Sequence, residues 1–576
     1  MKTPASLLRK KWDAIVVGGG HNGLVAAAYL AKAGKSVCVL EKRHLVGGAA
    51  VTEEIVPGFK FSRASYVFSL FRPQIIRDLD LQRHGLEVFV RDPSSFTPTQ
   101  DGRSLIFGSD MRQIQASIAQ FSAADAKAYP EYSKMLEDMV DFFLPMLDEP
   151  PPDLHTAFDP SVSLSRRVEA AKAIARLGYR CGKLGRDLTT FAEFMAAPAT
   201  KILDKWFESD VLKATLATDA IIGAKVSPST PGSAYILFHH VMGEVNGIKG
   251  AWGHVKGGMG GVSQSIANAA LEAGTEIHVN TPVKSIYVGD GKVRGVCLRN
   301  GDVIESDCVM SNASPFTTML ELVDEVHLPQ EVVTHFKRNW NCESTSTKVG
   351  MAFCFLFECT GIQLRSVFAT QINVALDRLP NFTCFPNTGD GNTPMPNHYG
   401  TIHFEDSLEQ IEDAFLDSQR GICSKRPIIE MNIPTSLDPT IAPPGKHVAL
   451  LFVQYTPYEP KDGKWSEPGK KSNFANQVFS IIEQYAPGFT KSIIDYEILT
   501  PPDLEQIFSL PKGNIFHGAM GFDQLFWMRP MAGYSSYRSP IDGLYLCSAG
   551  THPGGGVMGA CGRNAAMVCL KDQGNT

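Results

Sequence analysis

The sequence predicts a two-part α/β architecture in which one domain is assembled from separated stretches of chain and the other is inserted between them. Three observations carry this expectation. A short β-branched run, WDAIVV at 12–17, leads into a glycine-rich turn and an alanine-rich segment. A second glycine-rich turn, SAGTHPGGGVMGACGRNAA at 548–566, has the same surroundings at the other end of the chain, an apolar run before it and a helix-compatible segment after it. The middle reads first as helices and then as strands, which suits an inserted domain of its own. At 576 residues the chain is also too long for one simple core, so two or three domains are expected.

The first element, WDAIVV, suits a buried parallel strand. Gly18, Gly20 and Gly23 follow it in GGGHNG and satisfy G-x-G-x-x-G. LVAAAYLAKAG then reads as a helix closed by Gly34, and SVCVLEK as a second strand ending at Glu41. The grouping has a physical logic. Gly18 permits the tight turn, Gly20 lets the backbone approach a pyrophosphate, and Gly23 lets the helix pack close to the strand. The helix N-terminus faces the phosphate charge. Glu41, 18 residues past Gly23, is placed to accept hydrogen bonds from a ribose hydroxyl pair. An acid there suits FAD or NAD and disfavours NADP. The next segment, KRHLVGGAAVTEE, holds Arg43 and the pair Gly47–Gly48. A dinucleotide with a bulky flavin runs further along the protein and uses such a second small-residue patch, so FAD is favoured.

Bulk properties exclude other classes. Apolar residues make up 44% and charged residues 20%, ordinary for a globular protein. A net charge of −6 argues against a nucleic-acid partner. The 12 cysteines are scattered, which fits free thiols in a reducing compartment, and no metal-ligand spacing occurs. No apolar run is long enough for a membrane span. MKTPASLLRKKWD carries Arg9, Lys10 and Lys11 with no acid before Asp13. That bias suits an organelle transit peptide, but the short length before the first strand does not.

GGGHNGLVAAAYLAKAG, with EKRHLVGGAAVTEE and PGFKFSRASYVFSL, resembles the carotenoid/retinoid oxidoreductase family, which includes phytoene desaturases. The resemblance continues through KGGMGGVSQSIANAAL at 256–271 and ends with the 548–566 stretch, so it spans essentially the whole chain. It implies non-covalent FAD in a discontinuous, glutathione-reductase-like Rossmann domain. It also implies redox or isomerisation chemistry on carbon–carbon double bonds of a lipophilic substrate, and, through mitochondrial members, a matrix location; the cytoplasm is the other reducing compartment. Arg43, Gly47 and Gly48 match the family's FAD-contacting segment. EIHVNTPVKSIYV at 276–288 matches the strand pair that meets the adenine, with Val283 at the contact. DCVMSNA at 307–313 resembles the strand that returns the chain from that region. In the last stretch, Gly550 and Thr551 match the pyrophosphate side. Gly555, Gly556, Val557 and Met558 match positions that bring backbone N–H groups to flavin N1 and O2.

Residues 112–242 read as a helical cap. Within it Arg166, Arg167, Lys172, Arg176, Arg180, Lys183 and Arg186 line one face of a helix. Such a helix is either a solvated basic face or a peripheral contact with an anionic membrane surface or a membrane-bound protein. Strand-like runs follow: TKVGMAFCFLF, RPIIEMNIP, KHVALLFVQYTPY and SIIDYEIL. Cys354 and Cys359 lie in VGMAFCFLFECTG, which overlaps the first of these and is away from any nucleotide turn, so they read as buried strand cysteines and not as a redox dithiol. A second G-x-G-x-x-G is missing, and no stable NADPH site is expected. NIFHGAMGFDQLFW supplies an aromatic cluster and His517, which reads either as a proton donor or acceptor beside the flavin or as a structural histidine.

The expected domains are FAD-binding segments at 1–100, 245–330 and 511–576, a helical cap at 101–244 and a substrate-side sheet at 331–510. The expected function is hydride transfer between FAD and a lipophilic substrate, by desaturation, saturation or isomerisation, in support of mitochondrial function. An amine-oxidase-like enzyme and a flavin-binding regulatory protein without turnover stay open as alternatives.

Overall fold

The computed structural model describes residues 4–8, 10–224, 226–341 and 367–574. The β-branched runs that flank the first turn, Ala14–Val17 and Val37–Leu40, are buried along their whole length. They lie in a five-stranded parallel sheet of order Glu276–His278, Val37–Leu40, Ala14–Val17, Val309–Ser311, Leu544–Leu546. Three distant stretches of chain therefore build one sheet. Strands buried on both faces need continuous apolar runs, which is why AIVV and VCVL carry no alternation. The strand order reverses across Ala14–Val17 and Val309–Ser311, so a crevice opens at their carboxyl ends.

The helix after the first strand is His21–Lys32, and Gly34 follows it at φ +81°. It packs against Gly260–Glu272 on one side and the C-terminal helix Ala560–Asp572 on the other. The second contact is backbone on backbone: a Cβ at Gly562 would lie 2.0 Å from the Asn22 carbonyl oxygen. The two glycine-rich turns of the sequence thus open neighbouring helices.

A seven-stranded mixed sheet forms the other domain, in the order Ile493–Leu499, Val367–Leu376, His447–Pro457, Ile429–Asn432, Thr401–His403, Ser95–Pro98, Ser104–Phe107. The runs RPIIEMNIP, KHVALLFVQYTPY and SIIDYEIL each contain one of these strands. TKVGMAFCFLF, with Cys354 and Cys359, lies outside the described residues. The boundary placed at residue 100 falls inside the Ser95–Phe107 hairpin, both strands of which belong to this second sheet. Ser95–Pro98 pairs in parallel with Thr401–His403, a long-range partnership with no local signature. Helices between Met111 and His240 cover the sheet.

Leu164–Leu184 carries the basic run, and Ala170 is its one buried residue. Leu164 is 72% and Tyr179 67% exposed. Arg180 pairs with Glu149, and Glu169 with Lys571. No helix among the described residues is long and apolar enough to cross a membrane.

Replacing Gly562 by Val forces the two nucleotide-side helices apart. The expected loss is about 1–3 kcal/mol, read as a lower melting temperature. Gly178→Ala, where an added Cβ meets nothing within 4 Å, should leave the melting temperature unchanged or raise it.

Candidate functional site

The first turn is held by its own backbone and one acid. Gly18 sits at φ +95°, and its N–H donates to the Leu40 carbonyl at 2.9 Å. Gly20 is the N-cap of His21–Lys32 and supplies no side-chain cap, so the first-turn N–H groups face the crevice. A Cβ on Gly23 would lie 2.3 Å from the Gly18 carbonyl oxygen, which fixes its packing role. The second glycine pair backs directly onto the first turn. The Gly47 N–H donates to the Gly19 carbonyl at 2.7 Å, and a Cβ on Gly48 would lie 3.3 Å from the Gly20 Cα.

Glu41 is buried, with one carboxylate oxygen accepting the Gly19 N–H at 2.7 Å and the other the Arg43 N–H at 2.8 Å. The acid predicted to meet a ribose therefore also braces the turn. Arg43 donates to Glu53 at 2.7 Å, and Arg63 bridges Glu53 to Glu497. Burial pushes the Glu53 carboxyl up, but hydrogen bonds and charge from Arg43 and Arg63 win and hold it below the usual carboxylate value. Asn312 carries no motif of its own in the sequence. It sits on the returning strand at the point of reversal, with its Nδ2 2.6 Å from where a Cβ on Gly20 would be. Its residue type gave no signal, because the approach exists only once the strand is placed.

These residues open onto a cavity of about 810 Å³, walled by both sheets and the cap helices. Gly18, Gly20, Glu41, Arg43, Gly47, Gly48 and Val283 line it, as do Gly556, Val557 and His517. Four of the predicted C-terminal residues stand one layer back. A Cβ on Gly550 would strike the Pro315 ring at 2.1 Å, and a Cβ on Gly555 the Phe516 ring at 1.8 Å. The Thr551 hydroxyl donates to the Ser548 carbonyl at 2.8 Å, and the Met558 carbonyl accepts the Arg72 N–H at 3.0 Å. They shape the turn, and Gly556, at φ +106°, presents it to the cavity.

Arg529 holds this turn, a role that nothing in the sequence marked. Its guanidinium is fully buried and donates to the carbonyls of Phe516, Gly518, Ala519, Gln524, Ala549 and Thr551. Burial lowers it to about 10, so it stays charged at neutral pH. His517 lies in the segment so tethered, at φ +59°. Its Nδ1 has no partner among the described residues. Burial, with His21 and Arg529 adding to the effect, pushes His517 down to about 3. The imidazole facing the cavity is therefore neutral. His21 is also lowered, to about 4, by burial against the opposing hydrogen bond to the Gly556 backbone. Among the described residues no group of three or more metal-ligating side chains is present, and no cysteine lines the cavity.

A reversed parallel sheet, an open helix N-terminus and a long cavity running past it together define a dinucleotide-binding flavoprotein. The family model described as flavin containing amine oxidoreductase matches residues 23–418, and the chain belongs to that family. It is an FAD-dependent oxidoreductase. The chain is 48% identical to pyridine nucleotide-disulfide oxidoreductase domain-containing protein 2 of Rattus norvegicus over 99% of this chain and 95% of that protein. It is 27% identical to a limonene dehydrogenase component of Castellaniella defragrans, over 98% of this chain and 95% of that one. It is 23% identical to a lycopene-forming phytoene desaturase of Pseudescherichia vulneris, over 97% and 99%, in keeping with the resemblance seen in the sequence. Putrescine oxidase bound to putrescine shares the fold, with a TM-score of 0.57 at 14% identity over 98% of this chain and 99% of that one.

The residues present fit FAD: glycines 18, 20, 47 and 48 line the cavity with close-packed backbone free of side chains, beside an uncapped helix N-terminus. At Gly556 a Cβ would meet Leu70 Cδ1 at 2.8 Å in a left-handed backbone. Gly556→Val should therefore purify without the yellow flavin spectrum while Gly178→Ala keeps it; retained flavin in Gly556→Val would contradict the placement of this turn.

Proposed function

We propose that this oxidoreductase moves hydrogen between FAD and a carbon–carbon bond of a lipophilic substrate, so that the bond is desaturated, saturated or isomerised. The observation that carries this reading is the wall beyond the nucleotide turn. Leu70 from the first segment, Leu237 and Val241 from the cap, and Ile515 and Phe516 from the Arg529-tethered segment line it. An apolar, closed wall binds a greasy chain by burial and keeps water from the reacting carbon. The relatives named for limonene and phytoene, both unsaturated hydrocarbons, support the same substrate class.

FAD supplies the hydride acceptor or donor when bound. The protein's share is to orient, to exclude water and to hold protons. His517 is the histidine of NIFHGAMGFDQLFW at the wall; it rests neutral, so the apolar slot holds no charge there until the imidazole accepts or gives up a proton. The exposed basic helix Leu164–Leu184, with Leu164 and Tyr179 uncovered, suits a peripheral contact with an anionic lipid surface from which such a substrate could enter.

Anaerobic mixing with a lipid extract should bleach oxidised flavin if the bond is desaturated, or restore the colour of pre-reduced flavin if it is saturated. Bleaching by amines alone, with peroxide formed in air, or no colour change in either direction would sink the reading. His517→Gln should keep FAD and slow substrate-dependent flavin reduction by about 100-fold; an unchanged rate removes His517 from the chemistry. Anionic liposomes should sediment the wild type but not a variant with the basic run of 166–186 reversed in charge.

A further inference from the structure

The cavity has a second character on the side of the seven-stranded sheet. There Glu430, Asp219, Arg91, His403 and Tyr66 all reach its wall. They come from separate elements. Glu430 and His403 are cross-strand partners on adjacent antiparallel strands. Asp219 caps the end of the helix Asp210–Thr218. Tyr66 and Arg91 belong to the first hundred residues. A substrate that was apolar from end to end would leave these groups desolvated with nothing to bind, at a cost of the order of 1–3 kcal/mol for each unpaired group.

The hydrogen bonds among them stop short of saturation. The Tyr66 hydroxyl donates to Glu430 Oε2 at 3.2 Å, and Arg91 Nη1 donates to Thr401 Oγ1 at 2.9 Å. His403 is paired behind the wall with Glu405 at 3.1 Å. Glu430 Oε1 and Arg91 Nε have no partner among the described residues, although Glu430 is 3% and Arg91 4% exposed. A buried carboxyl oxygen and a buried guanidinium N–H are thus unpaired at one wall of a ligand cavity.

Resting on the hydrogen-transfer reading above, we propose that this wall binds a neutral oxygen function, an alcohol or a carbonyl, at one end of an otherwise apolar substrate. Charge selects neutral oxygen over an amine or a carboxylate. Arg91 and His403 oppose Asp219 and Glu405, so an added ion of either sign would be buried without a counter-charge. Glu430 tips the choice toward oxygen. Burial pushes its carboxyl up to about 7, with Glu405 and Asp219 adding to the rise against the charge of His403 and the hydrogen bond from Tyr66. Burial likewise raises Asp219 against the charges of His240, His403 and Arg91. Below about 7 the Glu430 carboxyl donates a hydrogen bond to the ligand oxygen; above it the carboxylate accepts one from an alcohol O–H but repels the lone pairs of a carbonyl oxygen. Affinity for a carbonyl ligand should therefore fall as pH rises through this range, while an alcohol keeps a partner on both sides of it.

The test uses FAD-loaded protein and matched probes: isoprenoid and fatty alcohols, the ketones or aldehydes and the hydrocarbons of the same skeletons, and the corresponding amines and acids. Binding is read by calorimetry and by the flavin difference spectrum. The wild type should bind at least one alcohol about tenfold or more tightly than its hydrocarbon. The affinity for the ketone or aldehyde of the same skeleton should decline between about pH 6 and about pH 8, as the Glu430 carboxyl loses the proton it donates. Glu430→Gln, whose amide donates at every pH, should keep the preference and lose the decline, with its flavin content confirming the fold. No alcohol preferred over its hydrocarbon, an amine or acid bound most tightly, or an undiminished pH decline in Glu430→Gln would each overturn the proposal. An alcohol that binds with this preference but neither bleaches the flavin nor restores its colour would sink the hydrogen-transfer reading and leave the head-group site standing. A flavin bleached by hydrocarbon and alcohol alike, with equal affinities, would do the reverse.

Discussion

Everything in the cofactor half depends on backbone meeting backbone without side chains between. Gly18, Gly20 and Gly23 form the first turn, Gly47 and Gly48 press onto it, and Gly562 brings the C-terminal helix against Asn22. At Gly23, Gly47 and Gly562 a Cβ would collide with a main-chain carbonyl oxygen, of Gly18, Ala50 and Asn22 respectively, so the spacing of these remote segments is set by the same constraint. The parallel sheet can then be completed by strands from 276–311 and 544–546, hundreds of residues from the first. A crevice at the carboxyl ends of its strands follows from that order.

Around the C-terminal turn, the electrostatics are arranged by burial. Arg529 brings one positive charge into the interior and distributes it over six backbone carbonyls. With a cation fixed there, His21, His517 and His552 are each held neutral, by burial first; Arg529 adds to the effect at His517 and His552. The result is a wall whose polar atoms carry no mobile charge next to an apolar slot. Hydrogen-transfer chemistry on an uncharged substrate has use for such a wall, because an ion there would draw in water.

The cavity's two walls divide the work of recognition. On the function proposed above, the apolar side, from cap helices and the 515–517 segment, would take a hydrocarbon chain by burial of area. The sheet side carries groups that are unforgiving, since a buried polar atom left unpaired costs more than a hydrogen bond returns. Orientation of a long ligand is decided by that asymmetry. The ion network of Arg43, Glu53, Arg63 and Glu497 ties the nucleotide turn to the second sheet.

The local parts were legible in the sequence. Strand, glycine turn, helix and Glu41 could be read in order because each is fixed by neighbours in the chain. The 548–566 stretch could be told from a linker by its flanking strand and helix. What the sequence could not place were residues whose roles arise only on assembly. Gly550, Thr551, Gly555 and Met558 shared a motif with Gly556, and folding set them a layer behind it, against Pro315, Ser548, Phe516 and Arg72. Asn312 and the Glu430 cluster had no spacing to betray them, since their partners come from loops and strands far along the chain, and Arg529 binds backbone carbonyls, which carry no residue-type signal. The sequence by itself determined that a dinucleotide turn exists and what chemistry its glycines permit. Only the tertiary structure decided which side chains face the substrate, because burial and long-range strand pairing, not local pattern, choose the partners of a polar group.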